Sequence, residues 1–154
     1  MLQTRVIYHD TDSVMFTSKP GQDNPKLGEF IGELSNELAT NEEPDAYITK
    51  FVSCGSKNYC YEIFYPNSQE RKYVCKVKGL SLNFSTSNIV NFNSMKQLID
   101  NYIENYCIAD RGEGESYKNI KVLNVPQKQI RVDSFLDIYT KNIKNIGLFM
   151  IKGE

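Results

Sequence analysis

The chain has 154 residues, 40% of them hydrophobic and 24% charged, with a formal net charge of −1. That length buries a core without a metal or disulfide staple, as one domain or two small lobes, and the composition excludes collagen-like, coiled-coil and wholly disordered classes. No apolar run approaches the roughly 18 residues of a membrane helix and no apolar signal core stands near the N-terminus, so the expectation is a soluble intracellular protein with no membrane partner.

Arg5–Tyr8 (RVIY) and Ser13–Thr17 (SVMFT) are β-prone runs on either side of His9-Asp10-Thr11-Asp12. They predict a hairpin with acidic residues at its tip. Pro20, Gly21, Asp23, Asn24 and Pro25 mark a loop. Ile31, Leu34 and Leu38 fall at helical spacing and predict an amphipathic helix over residues 28–40, closed by the polar Thr40–Asp45. Two strands follow, Tyr47–Val52 and Asn58–Tyr65 (NYCYEIFY), linked through Cys54-Gly55-Ser56. Pro66-Asn67-Ser68 then turns the chain into a third strand, Lys72–Leu82. Its period of two puts Tyr73, Cys75 and Val77 on one face and Lys76 and Lys78 on the other. The same period sets Lys57 and Tyr59 side by side at the head of the preceding strand.

Beyond Asn83 the pattern turns helical. Met95, Leu98, Ile99, Tyr102, Ile103, Tyr106 and Cys107 recur at the spacing of one helix face, and Ser94 with Gln97 matches a capping box. The Tyr102/Tyr106 stripe reads as core packing. Asp110–Ser116 reads as a loop, Asn119–Val125 as a strand and Ser134–Ile143 as a short helix. A lobe boundary is expected near residue 84, dividing the chain into 1–83 and 84–154.

The near-neutral total hides an asymmetry. Residues 1–55 hold four Lys/Arg against nine Asp/Glu, and residues 56–154 hold fourteen against ten. An acidic first third beside a basic remainder suits either ordinary surface charge or cation binding next to a polyanion contact. Cys54, Cys60, Cys75 and Cys107 form no C-x-x-C pair, and His9 has no ligand-spaced partner. Reduced, partly buried thiols are expected, and no zinc site.

Val6-Ile-Tyr-His-Asp10-Thr-Asp12-Ser-Val14 carries the chemistry. Two carboxylates two residues apart at a tight bend suit a hard divalent cation such as Mg²⁺, which keeps waters and shares its ligands with substrate phosphates. The string resembles the Tyr-x-Asp-Thr-Asp-Ser motif of family B DNA polymerases, where it forms the hairpin at the catalytic centre of the palm. Forty-five residues after Asp12, Lys57-Asn58-Tyr59 resembles the Lys-x-Tyr motif of the protein-primed branch, and Lys76-Val-Lys78-Gly79-Leu80 is similar to its Lys-x-Lys-Gly strand. The match spans roughly residues 5–82, in the style of organellar and viral (Maverick/Polinton-like) enzymes, and continues more faintly beyond.

The resemblance implies an α+β chain: an antiparallel palm sheet with flanking helices over 1–83, then a thumb-like helical lobe over 84–154. Asp12 would be the catalytic metal ligand and Asp10 its supporting carboxylate. Tyr8 would shape the hairpin beside the primer end. Lys57 and Tyr59 would hold the primer strand, and Lys76 and Lys78 the nucleic-acid backbone. The implied activity is DNA-directed DNA polymerisation, a nucleotidyl transfer using two Mg²⁺ ions. Its implied partners are primer–template DNA, dNTP, a terminal protein primer and a missing N-terminal polymerase portion.

The chain also departs from that pattern. The family's other palm carboxylate, its nucleotide-binding helix and its exonuclease carboxylates are not among these residues. The expectation is therefore a C-terminal palm-and-thumb fragment, inactive as an isolated chain. The alternative is a non-catalytic DNA-binding remnant of a mobile-element or viral polymerase. Asp10-Thr-Asp12-Ser-Val14 also satisfies the signature of haloacid-dehalogenase-type phosphatases, with Asp10 as nucleophile and Asp12 as acid/base. The late acidic pair and the alternating parallel β–α pattern of those enzymes are not found.

Overall fold

Short alternating runs form strands here, and two capped segments form helices. The computed structural model describes residues 5–19, 21–28, 30–110, 123–125, 128–130 and 145–151, with side chains as far as Tyr102. The strands are β1 (Val6–His9), β2 (Ser13–Ser18), β3 (Leu34–Asn36), β4 (Tyr47–Ser53), β5 (Asn58–Tyr65) and β6 (Glu70–Val77). The helices α1 (Phe84–Ile89) and α2 (Phe92–Asp110) follow, then β7 (Leu123–Val125), β8 (Lys128–Ile130) and β9 (Asn145–Ile151). The chain is α+β, with antiparallel sheets and two helices among the described residues.

Two compact units divide the chain. The first comprises Met1–Phe51, Tyr61–Lys72 and Ile138–Glu154, the second Val52–Cys60 and Tyr73–Asp137. In the first unit β1 pairs with β2, and β2 pairs with β9 from Ser13↔Met150 to Ser18↔Asn145. On its other side β9 meets β4 at Ile48↔Ile146 and β3 from Leu34↔Ile151 to Asn36↔Phe149. The order β1-β2-β9-β4-β5-β6 leaves β1 and β6 at the ends of the sheet. Ile7, Met15, Phe16, Leu38, Ala46, Ile48, Phe51, Tyr61 and Ile63 are buried in this unit, and their removal from water is its main stabilising term.

In the second unit the ends of β4, β5 and β6 meet helix α2. Cys54, Cys60, Val77, Val90, Met95, Leu98 and Ile99 form its buried cluster, flanked by Val52, Cys75, Leu80, Leu82 and Phe92. Both helices start with reciprocal side-chain caps. The Asn83 carboxamide accepts from Thr86 N–H at 3.0 Å while Asn83 N–H donates to the Thr86 hydroxyl at 2.8 Å. Asn91 and Ser94 make the same exchange, both bonds at 3.0 Å.

Three expectations need correction. The cap of α2 is Asn91 with Ser94, not Ser94 with Gln97, because Asn91 lies where its side chain reaches the orphan N–H groups of the first turn. The helix over residues 28–40 does not form. Gly32 takes a left-handed φ of +87, Ile31 is left 73% exposed, and Leu34–Asn36 is drawn into the sheet by β9. The strand expected over Lys72–Leu82 runs instead from Glu70 to Val77, where a turn closed by Leu80 N–H on Val77 C=O at 3.1 Å ends it. Strands β8 and β9 were not anticipated from the sequence. Of the expected strand Asn119–Val125 its last three residues form β7, paired with β8. The expected loop over 111–116 and helix over 134–143 lie outside the described residues.

Candidate functional site

The acidic pair occupies the tip of the first hairpin. β1 and β2 pair at Tyr8↔Met15 and His9↔Val14, so Asp10, Thr11, Asp12 and Ser13 form the connecting loop. Asp10 N–H donates to Ser13 C=O at 2.9 Å and closes it. Inside the loop, Asp10 Oδ1 accepts from Thr11 N–H at 2.9 Å and from the Thr11 hydroxyl at 3.4 Å, which fixes the carboxylate's orientation. Asp12 is exposed. The register shifts between Val6 and Tyr8, a bulge of the kind that re-aims neighbouring side chains. Tyr8 is half-buried, and its ring lies 5.9 Å from that of Phe51 on β4.

A divalent cation fits this loop in kind. Two carboxylates are hard oxygen donors, and Mg²⁺ is commonly held by one or two of them together with waters and substrate phosphates. Among the described residues, no group of three or more His, Cys, Asp or Glu side chains stands together. Asp10 and Asp12 are therefore the residues that would hold such an ion, with the remaining ligands supplied from outside the loop.

The basic candidates belong to the second unit. Between β4 and β5 the chain makes a tight turn, with Asn58 N–H on Gly55 C=O at 3.1 Å and Cys54 N–H on Asn58 C=O at 2.8 Å. The turn needs left-handed backbone at Gly55 (φ 126) and again at Lys57 (φ 58). A lysine held there is strained and exposed, with Tyr59 half-buried two residues on. Lys76 and Lys78 are exposed around the buried Val77. Gly79 follows at φ 71, the conformation that the turn after β6 demands and that glycine takes without a Cβ penalty.

Asn58, in the middle of Lys57-Asn58-Tyr59, ties these segments together. It is buried, and its Oδ1 accepts from Lys78 N–H at 3.1 Å. Sequence reasoning treated it as a spacer. Also missed was the fully buried Glu62, at 1% exposure. Its Oε1 accepts from the Thr49 hydroxyl at 2.6 Å and Arg71 at 2.8 Å, and its Oε2 pairs with Lys50 at 2.9 Å. A charged residue inside the aromatic run NYCYEIFY was the available signal. Glu43 was missed as well: its carboxylate accepts from Asn67 N–H at 2.9 Å and Ser68 N–H at 2.7 Å and so anchors the β5–β6 turn.

One expectation about the thiols is corrected here. Cys60 and Cys75 form a disulfide, with Cα atoms 4.1 Å apart. Fifteen residues separate them in sequence, so no local motif announces the bond. Pairing of β5 with β6 places them opposite each other. Cys54 is buried and outside the disulfide, with its Sγ 3.9 Å from the Met95 carbonyl.

The structure thus brings Tyr8, Asp10 and Asp12 onto one hairpin, and Lys57, Tyr59, Lys76 and Lys78 onto neighbouring strand ends of the other unit. No protein-family model, curated protein or solved structure gave a significant match to the chain.

Proposed function

We propose that the chain is a palm-and-thumb piece of a family B, protein-primed type DNA polymerase. The observation that carries the reading is the pairing register that sets Asp10 and Asp12 in a closed hairpin loop behind Tyr8. Lys57-Asn58-Tyr59 and Lys76–Leu80, in the order the resemblance requires, support it.

In this reading Asp12 and Asp10 present carboxylate oxygens, and the Thr11 N–H keeps Asp10 turned inward on its own loop. Magnesium, when bound with nucleotide, supplies activation of the primer hydroxyl and charge neutralisation at the α-phosphate. Tyr8, braced by Phe51, shapes the hairpin beside the primer end. Lys57 and Tyr59 hold the primer strand, while Lys76 and Lys78 neutralise backbone phosphates. The antiparallel sheet, with β9 between β2 and β4, is the palm, and the helical segment from Phe84 is the thumb-like part.

These 154 residues do not include the family's other palm carboxylate. Transition-state stabilisation depends on both ions being placed, so the isolated chain binds primer–template DNA without extending it. The phosphatase alternative is not carried forward, because the hairpin bearing Asp10 and Asp12 belongs to an antiparallel sheet.

The test is fluorescence anisotropy with a labelled primer–template duplex, alongside a primer-extension assay with Mg²⁺ and dNTP. Lys57→Ala should weaken binding, Asp12→Asn should leave it nearly unchanged, and no extension should be seen. Binding indifferent to Lys57→Ala, or templated extension by the pure chain, would overturn the assignment.

A further inference from the structure

We propose that the Cys60–Cys75 disulfide is a reversible redox staple that holds the two lysine-bearing strand ends in register. As a control on DNA contact it rests on the nucleic-acid reading above; as a property of the fold it does not.

The bond crosses β5 and β6 near their open end, away from the Pro66–Gln69 turn. Immediately beyond it stand Lys57-Asn58-Tyr59 on one strand and Lys76-Val77-Lys78 on the other. At that end a side-chain tie also joins the two segments, from Lys78 N–H to Asn58 Oδ1 at 3.1 Å. A cross-link beside a strand end suppresses the local opening to which such ends are prone.

Other buried side chains pack around the bond. Val77, Val90, Met95, Leu98 and Ile99 are buried in the same cluster, and Met95 Sδ lies 3.1 Å from Cys60 Sγ. Reduction therefore leaves a packed core beneath a looser strand pair. The two sulfurs also differ in access, since Cys60 is fully buried and Cys75 partly exposed. A dithiol reductant is expected to attack Cys75 Sγ: the S–S bond breaks, Cys60 leaves as thiolate and takes a proton from water. The reductant's second thiol then attacks the mixed disulfide and releases Cys75, also protonated. The protein gains two electrons and two protons, and the dithiol becomes a disulfide.

The experiment uses the full chain, oxidised with diamide or reduced with dithiothreitol. Differential alkylation and mass spectrometry report the state of Cys60 and Cys75, and hydrogen exchange reads the backbone. On reduction, amides over 57–59 and 76–79 should exchange about tenfold faster or more, while Met95–Ile99 keep their protection. Primer–template affinity should fall in parallel. The Cys60→Ser/Cys75→Ser variant should show the reduced pattern under both conditions.

Three results would overturn the staple: no bond under oxidation, unchanged exchange at the strand ends, or loss of protection at Met95–Ile99 on reduction, which would make the bond structural. If exchange responds as expected and neither redox form binds DNA, the staple stands and the nucleic-acid reading fails. If both forms bind equally, the control over DNA contact is refuted.

Discussion

Lys57 is held at a backbone φ of 58, where an L-side chain is strained and glycine is not. Stability and the proposed DNA contact can therefore be separated at this one position. Lys57→Gly relieves the strain and should raise stability over Lys57→Ala by about 1 kcal/mol in urea denaturation, while both lose affinity for primer–template DNA. Equal stability of the two variants would show that the turn relaxes without Lys57. At Asn58 the issue is an unmet donor. Asn58→Ala removes the acceptor of Lys78 N–H and should destabilise the chain by about 1–2 kcal/mol, with faster exchange at the Lys78 amide.

At the scale of elements, two carboxylates hold the β4–β5–β6 strands in different ways. Glu62 is a buried charge whose cation partners Lys50 and Arg71 are 49% and 54% exposed. Glu62→Met frees two cations that water can solvate, and should lower stability by about 1 kcal/mol or less. Replacing both Lys50 and Arg71 by Met leaves the buried carboxylate without these two cations, and should cost about 3 kcal/mol. Equal losses by chemical denaturation would mean that Glu62 is not the desolvated partner. Glu43 fastens the β5–β6 turn. Burial works to raise its pKa, but hydrogen bonds from the Ser68 side chain and the Asn67 and Ser68 N–H groups outweigh this, leaving the carboxyl below its ordinary value of 4.5. Its stabilisation is thus fully present above that value and is lost as pH falls through the lower, folded one. The melting-temperature gap between the wild type and Glu43→Gln should close on acidification below pH ~4.5; a constant gap would rule the linkage out.

For the molecule as a whole, net charge does not favour nucleic acid. The total is −1, so the proposed DNA binding would rest on a local patch and not on the overall field. If Lys57, Lys76 and Lys78 each neutralise one phosphate, the logarithm of the binding constant should fall with the logarithm of salt concentration with a slope of about −2.7. Lys57→Ala should flatten it by about 0.9. A slope near zero would place binding on other chemistry. The acidic hairpin and the lysine-bearing strand ends belong to different units.

How much was legible in the sequence depended on how local the cause was. The Asp10/Asp12 hairpin, the three strands from Tyr47 onward and the apolar face of α2 come from residues within a few positions of one another, so alternation, helical spacing and turn chemistry reveal them. The candidate residues on them were legible for the same reason. The false helix over 28–40 came from applying the same local rule where a distant partner wins: β9, more than a hundred residues downstream, takes Leu34–Asn36 into a sheet. The Cys60–Cys75 bond, the enclosure of Glu62 by Lys50 and Arg71, and the tie from Asn58 to Lys78 likewise join residues on different strands. The sequence by itself determined where the first hairpin turns, that strands follow from Tyr47 onward, and which side chains are candidates for chemistry on them. Only the tertiary structure decided which strands become neighbours, because pairing energy is realised between segments whose separation along the chain carries no periodic signal.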